Sequence, residues 1–155
     1  MWRALVTTDI GREQWTFWEI MDTFYPYDHN VHVRIYNRRG VLLVWTKLAT
    51  KDVLRLLANR LTRANKVIGF DDSTPPKLRD IISAIQRLIG NSRDFRIECE
   101  VRGSHLEIGK MELMKLLIEK FRFIGGIKKL LIEVVWDVVG LTILDREEKI
   151  IRFRH

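Results

Sequence analysis

The chain has 155 residues, a mass of 18.4 kDa and 46% hydrophobic residues, as expected for a soluble globular protein of one domain or two small ones. This composition excludes a disordered chain, a collagen and a coiled-coil rod. Cys99 is the single cysteine, so a disulfide framework is excluded as well. The 27 Lys and Arg residues exceed the 20 Asp and Glu residues, giving a net charge of +7. This surplus fits a polyanionic partner such as RNA or DNA, and it fits an inert basic surface equally well.

The positive charge is not concentrated in a tail, because residues 1–72 carry +3 and residues 73–155 carry +4. Any basic patch must therefore be assembled by the fold. No signal-peptide core follows Met1, and the longest apolar region, residues 130–144, is interrupted by Glu133 and Asp137. We therefore expect a cytoplasmic protein that does not associate with membranes.

Residues 1–72 show strand and helix patterns in the order β-α-β-β-α-β. The predicted strands cover residues 4–8, 31–36, 41–45 and 66–70, and the predicted helices cover residues 9 or 11 to 25 and 51–63. The candidate buried residues of the first helix are Trp15, Trp18, Ile20, Met21 and Phe24, although its clustered aromatics can leave one available to a partner protein. This order is typical of a ferredoxin-like split βαβ unit.

The second half begins with residues 71–76, which are predicted to form a linker. The elements predicted after it are helices over 77–89 and 110–123 and strands over 95–101, 129–135, 140–144 and 149–153. Cys99 falls on the apolar side of its strand, which indicates a buried small hydrophobe and not a reactive nucleophile. We therefore expect an α/β (α+β) protein with two domains, residues 1–72 and residues 73–155.

No catalytic constellation stands out in the sequence. His29 and His32 are close together, but no cysteine or carboxylate cluster completes a metal-ligand set. Phosphate-binding loops, nucleophile elbows and dinucleotide fingerprints are absent as motifs. We therefore predict a protein that is not an enzyme and that uses no cofactor or metal. A pocket that brought His105 together with several carboxylates would revive a catalytic interpretation.

Residues 102–105, Arg-Gly-Ser-His, can present a guanidinium, backbone N–H groups, a hydroxyl and an imidazole to a phosphate. Lys110 begins the next helix, whose N-terminus adds further N–H donors. An ordinary polar loop between a strand and a helix fits the same residues equally well. Arg38 and Arg39, in the predicted hairpin turn, likewise either extend a phosphate-binding path or are simply solvated.

The segment from Phe95 to His105, followed by a helix and by residues 131–141, resembles the C-terminal half of a THUMP domain. That family pairs a strand ending in Arg-Gly with a helix, a hydrophobic strand, an Asn-Pro-Asp-like turn and a final strand. Residues 6–13 resemble the opening of the ferredoxin-like domain that commonly precedes THUMP, and residues 40–44 fit that domain as well. The chain departs from the pattern where Trp136 replaces the usual proline before an aspartate, and we expect Trp136 to be a packing residue.

The resemblance implies binding of RNA, usually the acceptor end of tRNA, by the ferredoxin-like and THUMP parts together. The family usually carries a fused modification domain, for which this sequence has no room, so the chain is similar to the adaptor type that supports tRNA cytidine acetylation by a separate acetyltransferase. The residues expected to contact RNA are Arg96, Arg102, Gly103, Ser104, His105, Lys110, Lys128 and Lys129. The alternative is a protein-interaction subunit that makes no RNA contact and uses the aromatics of the first helix.

Overall fold

The computed structural model describes residues 2–145 and 149–154, and the chain divides into two compact units. Unit 1 comprises Met1–Phe70 and Lys149–His155, and unit 2 comprises Asp71–Glu148. The described residues form helices together with two separate sheets, which confirms the predicted α/β (α+β) fold class. None of the helices within these ranges is both long and apolar enough to cross a bilayer.

Except for the strand Asp72–Thr74, which falls in the predicted linker, the elements follow the predicted order, with bounds that differ by up to five residues. In chain order they are β1 Trp2–Thr8, α1 Glu13–Phe24, β2 His32–Tyr36, β3 Val41–Trp45, α2 Thr50–Ala58, β4 Ala64–Gly69, β5 Asp72–Thr74, α3 Leu78–Ile89, β6 Phe95–Ser104, α4 Lys110–Phe121, β7 Lys128–Trp136, β8 Val138–Leu144 and β9 Ile150–Arg152. The first six elements have the β-α-β-β-α-β order that the sequence predicts.

Unit 1 is built on a five-stranded antiparallel sheet in the order β2-β3-β1-β4-β9. The last strand of the chain returns to this sheet, where Lys66 of β4 lies opposite Arg152 of β9. The predicted division between residues 72 and 73 assigns this strand to the second domain instead. A three-residue strand carries no sequence signal of its pairing partner, so periodicity alone leaves its place open.

α1 buries a different face from the one expected. Its buried residues are Glu13, Thr16, Ile20, Thr23 and Phe24. These positions recur at intervals of three or four and so define one side of the helix. Trp15 and Trp18 lie off that side and are 55% and 58% exposed, so the prediction that they are buried is wrong. Hydrophobicity suggested the core for both indoles, but the angular position of each residue on the helix decides burial.

Unit 2 has a four-stranded sheet in the order β5-β8-β7-β6, in which β6 and β7 run parallel and are connected through α4. The predicted linker is partly wrong, because Asp72–Thr74 forms an edge strand paired with β8. The preceding residue, Asp71, donates its backbone N–H to Leu141 and accepts hydrogen bonds from Thr142 and Ile143. Polar residues therefore enter the ladder through backbone pairing, which a hydrophobic pattern does not reveal.

The alternation predicted for β6 is confirmed. Phe95 and Cys99 are buried, and Glu98 and Glu100 on the other side of the strand are exposed. Burial raises the pKa of the Cys99 thiol to about 11, so the group stays protonated at neutral pH. Cys99 therefore acts as a small hydrophobic residue of the unit 2 core.

Candidate nucleic-acid interface

The residues predicted to contact RNA all lie in unit 2, but they fall into two groups at opposite ends of β6. Arg96 lies opposite Lys129 at the start of the parallel pair β6 and β7, and Lys128 lies opposite Phe95. Arg102 is six residues further along β6, about 20 Å away at the usual rise of about 3.3 Å per residue. The structure therefore does not bring the predicted cations together into one cluster.

The group at the start of β6 is partly neutralised by an acidic neighbour. Lys129 Nζ lies 2.6 Å from Glu98 Oε2, so this ammonium group already has a carboxylate partner. Arg96 is exposed and forms no ion pair with any residue in the described ranges. Arg96 is therefore the cation of this group that is most accessible to a phosphate.

The Arg102 side chain at the other end of β6 is engaged inside unit 2. Its guanidinium donates to Glu133 of β7, a carboxylate that is 1% exposed and has further contacts. Because this pairing compensates a buried negative charge, Arg102 stabilises the fold of unit 2. The predicted RNA contact of Arg102 would require its guanidinium to serve Glu133 and a phosphate together.

Gly103 and Trp136 explain the chain path at this end of β6. The parallel register shifts between Arg102 and Ser104, and the backbone of Ser104 lies opposite Trp136, while its side chain is outside the described part of the structure. Gly103 has φ +58°, and a Cβ there would lie 2.4 Å from the indole Nε1 of Trp136. Glycine thus lets Trp136 pack against the strand, in agreement with the packing role expected for this tryptophan.

His105 and Lys110 lie beyond the carboxyl end of β6. His105 is exposed and, with residues 106–108, lines a cleft of about 340 Å³ whose other wall is residues 76–78 at the start of α3. Lys110 begins α4, and its Nζ lies 3.8 Å from Glu100 Oε1. Ligands of α/β sheets commonly bind at this end of parallel strands. Glu107 is the single carboxylate among the lining residues, so the cleft does not place several carboxylates around His105.

A different set of cations gathers at one end of the unit 1 sheet. Thr7 and Thr8, at the end of β1, lie opposite Val41 and Ala64, where β3 and β4 begin. Because β9 is antiparallel to β4, it also ends on this side. We call this region the arginine end, and it comprises residues 9–12, 37–40, 59–65 and 152–154.

The arginine end carries most of the net charge of the protein. It contains seven arginines and one aspartate, a net charge of +6 compared with +7 for the whole chain. The arginines are Arg12, Arg38, Arg39, Arg60, Arg63, Arg152 and Arg154, all of them exposed. Within residues 2–145 and 149–154 none of them forms an ion pair. Strand order therefore brings four segments that are far apart in the chain, with the unpaired arginines they carry, to the same end of the unit 1 sheet.

The Glu13 carboxylate links two of these segments, residues 9–12 and 37–40, through hydrogen bonds from their backbone N–H groups. Its Oε1 accepts a hydrogen bond from the Gly11 N–H at 2.6 Å, and its Oε2 accepts from the N–H groups of Arg38 and Gly40 at 3.0 and 3.3 Å. Burial alone would raise the pKa of Glu13, but these backbone hydrogen bonds outweigh it and lower the pKa. The buried carboxylate thus fixes the hairpin turn beside the loop that carries Arg12.

Sequence reasoning missed the arginine end as a site. It noted Arg38 and Arg39 but left them as either phosphate contacts or solvated residues. The other five arginines lie in segments that no motif connects, and their proximity follows only from strand order. A prediction of the antiparallel pairing of β4 with β1 and β9 would have been the one signal able to find them.

Comparison with solved structures identifies proteins that share the fold of this chain. No protein-family profile matches the chain, and no curated protein sequence matches it. Among solved structures, TrmN from Thermus thermophilus aligns over 96% of this chain and 46% of its own, with a TM-score of 0.57 and 15% identity. PH1313 from Pyrococcus horikoshii Ot3 aligns over 94% and 55%, with a TM-score of 0.62 and 12% identity. A 4-thiouridine synthetase, solved as an RNA complex with bound ATP, aligns over 98% and 42%, with a TM-score of 0.53 and 11% identity.

These likenesses extend over nearly the whole chain and show that it shares a fold with the three proteins. The chain spans about half the length of each of them. At these identities the comparison concerns the fold alone. Membership of the THUMP family therefore stays a prediction from the sequence, as do the RNA contacts of the eight residues named for it.

Proposed function

We propose that this protein is a non-catalytic RNA-binding protein that docks the acceptor end of tRNA for a separate tRNA-modification enzyme such as a cytidine acetyltransferase. The observation that carries the proposal is the arginine end, where unit 1 concentrates a charge of +6 on exposed and unpaired side chains. The shared fold with a 4-thiouridine synthetase solved in complex with RNA supports the same class of ligand. The choice of tRNA as the ligand and of an adaptor as the role rests on the resemblance to the THUMP family.

Unpaired arginines favour a phosphate partner for a physical reason. A guanidinium offers a planar set of donors that matches a phosphate, and its charge is always present. A cation that is already paired, such as Lys129 with Glu98, must share or give up its carboxylate before it binds. The arginines of the arginine end have no carboxylate partner to give up, so their contacts with a phosphate backbone add directly to the free energy of binding. The chemistry of modification is assigned to the partner enzyme.

The test is binding of labelled tRNA across a salt series, with a second tRNA that lacks the 3′ single-stranded end. The affinity should fall steeply with salt, because each phosphate contact releases counterions and adds about 0.7 to 0.9 to the slope of log K against log salt. Replacing Arg38 and Arg39 by Gln should therefore lower that slope by about 1.4 to 1.8.

A matched control removes the same charge elsewhere in unit 1. Lys51→Gln with Arg55→Gln acts on exposed residues of α2, and the Asp52 partner of Arg55 is also solvated. This control should leave the slope unchanged. Loss of affinity when the 3′ end is removed would support the acceptor-end role. Absence of tRNA binding at low salt would contradict the proposal.

The second candidate is the protein-interaction subunit without RNA contact. The observation that favours it is the exposed face of α1, where Trp18, Asp22 and Tyr25 follow one another at helical spacing. This face is aromatic and acidic, which suits a protein surface with basic residues and not a phosphate backbone. In the tRNA experiment it would give no salt-dependent binding, and a Trp18→Ala variant would lose a protein partner while keeping its fold.

A further inference from the structure

We propose that Trp15, Arg12 and Arg63 form a subsite for one unpaired nucleotide of RNA, in which the base stacks on the Trp15 indole and the phosphate binds the two guanidinium groups. This inference rests on the proposed RNA-binding function and assigns a ligand to one part of the arginine end. None of the eight residues predicted from the sequence to contact RNA belongs to it.

The Trp15 indole is held in a fixed position although it is exposed. Its Nε1 donates to Thr62 Oγ1 at 3.2 Å, and Thr62 Oγ1 donates to Glu19 Oε2 at 2.8 Å. The Thr62 N–H also donates to the Glu19 carboxylate, at 3.1 and 3.2 Å. More than half of Trp15 nevertheless remains exposed. An immobilised aromatic ring loses little conformational entropy when a base stacks on it, and such stacking tolerates every base.

Arg63 already lies over this ring, with its Cζ 5.4 Å from the ring centroid. Arg63 also lines a cleft of about 170 Å³ together with Asp9, Arg12 and Thr62. The cleft is several times the volume of about 30 Å³ that one water molecule occupies in the liquid. Its two guanidinium groups are donors suited to a phosphate oxygen.

Asp9 is the acidic residue of this cleft, and its effect is limited. Its Oδ1 accepts a hydrogen bond from Asn65 Nδ2 at 2.9 Å, and its charge is opposed by two arginines in the same lining. Arg12 has no ion-pair partner in the described ranges, so its guanidinium is available. The cleft and the indole therefore offer adjacent positions for the two parts of a nucleotide, the phosphate and the base.

An unpaired nucleotide fits this arrangement better than a duplex does. In a duplex the faces of internal bases are occupied by their neighbours, so an indole cannot stack on them without unpairing. A single-stranded segment exposes base faces and a flexible phosphate backbone at the same time. Trp18 lacks these features, because it packs edge-on against Phe17 and has Asp22 four residues further along α1 instead of an arginine.

The experiment compares binding of a short single-stranded oligouridine and of an RNA duplex of equal length. Trp15→Ala should weaken binding of the oligouridine by about tenfold or more, because stacking on an aromatic side chain contributes strongly to single-strand binding. Trp18→Ala is the matched control and should retain full affinity. Arg12→Gln with Arg63→Gln should lower the salt slope by about 1.4, as expected for contacts to single-stranded phosphates. Neither tryptophan variant should change the affinity for the duplex.

A second readout is direct. Oligouridine should quench part of the tryptophan fluorescence, and this part should be lost in Trp15→Phe but kept in Trp18→Phe. Circular dichroism and thermal melting should show that all variants are folded. If wild-type protein binds tRNA with salt dependence but Trp15→Ala and the double arginine variant bind oligouridine normally, the subsite is wrong and the proposed function stands. Equal losses for Trp15→Ala and Trp18→Ala would also overturn the subsite. If wild-type protein binds neither tRNA nor oligouridine at low salt, both proposals fail and the protein-interaction function is favoured.

Discussion

Replacement of Arg102 by Ala should destabilise unit 2, so its first measurable effect should be on the free energy of unfolding and not on RNA binding. The substitution removes the guanidinium that donates to Glu133, whose side chain is 1% exposed. Removal of one partner from a buried ion pair costs about 3 to 5 kcal/mol, because the remaining charge keeps its desolvation penalty. We expect the lower value, about 3 kcal/mol, since a quarter of the Arg102 side chain is exposed and Glu133 has other contacts.

The assay is the free energy of unfolding in urea, supported by thermal melting. A loss of about 3 kcal/mol corresponds to a decrease in Tm of about 6 to 12 °C for a chain of this length. Lys110→Ala is the matched control, since it removes a cation whose pair with Glu100 spans 3.8 Å between half-exposed side chains. Such an exposed pair contributes less than about 1 kcal/mol.

A double-mutant cycle separates the ion pair from the loss of side-chain volume. In the Arg102→Ala, Glu133→Gln double variant the buried charge is absent, so the total loss should be smaller than the sum of the two single losses by about 1 kcal/mol or more. A cost of Arg102→Ala within about 0.5 kcal/mol of that of Lys110→Ala, or additive losses in the cycle, would refute the reasoning. In that case Arg102 would return to the set of cations available for RNA.

Three further predictions concern single side chains. Glu13 should contribute to the unfolding free energy of unit 1 at neutral pH, and this contribution should be lost as the pH falls through and below 4.5, the ordinary pKa of a glutamate, because the pKa of Glu13 is lowered in the folded state. Urea unfolding measured across this pH range should show a weaker pH dependence for Glu13→Gln. Gly103→Ala should lower the free energy of unfolding by about 2 to 3 kcal/mol in the same assay, because the new Cβ would meet Trp136 and φ is positive. Gly125→Ala is the control with φ +71° but open space around the Cβ, and it should lower the free energy of unfolding by about 1 kcal/mol. Cys99 should react with a thiol reagent at pH 8 only after urea unfolding, since its pKa is about 11 and it is buried; rapid labelling of the native protein would contradict this.

Much of the fold was accessible from the sequence because local signals agree with the tertiary structure. Alternation over Phe95–Val101 identified the buried side of β6, although the strand continues for three residues beyond the predicted end, to Ser104. Gly90 follows the predicted end of the third helix at residue 89, and it ends α3 with φ +60°, a backbone conformation that favours glycine. The β-α-β-β-α-β order of unit 1 followed from the same kind of pattern.

The errors occur where backbone pairing or helix rotation decides the outcome. β5 and β9 are three-residue strands whose hydrogen bonds come from partners distant in the chain. Trp15 is exposed because α1 turns its Thr16 and Ile20 side toward the core. In both cases the deciding quantity is a spatial relation, and amino-acid type is a weak guide to it.

The candidate site was harder to predict, because a cation is available to a ligand only when nothing else neutralises it. The predicted RNA contacts were cations in or near the THUMP-like segment. Three of them, Arg102, Lys110 and Lys129, each have a carboxylate partner in unit 2. Motif resemblance carries no information on such pairing.

The distinction between paired and unpaired cations also determines how variants of the two units should behave. On the proposed function, an unpaired arginine in unit 1 contributes Coulombic attraction to RNA without supporting the fold, so its loss should lower affinity and salt slope at constant stability. Arg102 in unit 2, which is paired with a buried carboxylate, contributes to the fold first, so its loss should appear in unfolding before it appears in binding. A plot of binding slope against unfolding free energy for single cation variants should therefore separate the arginine end from Arg102. If the variants of both units fell on one line, affinity would simply track the folded fraction, and the arginine end would have no direct role in binding.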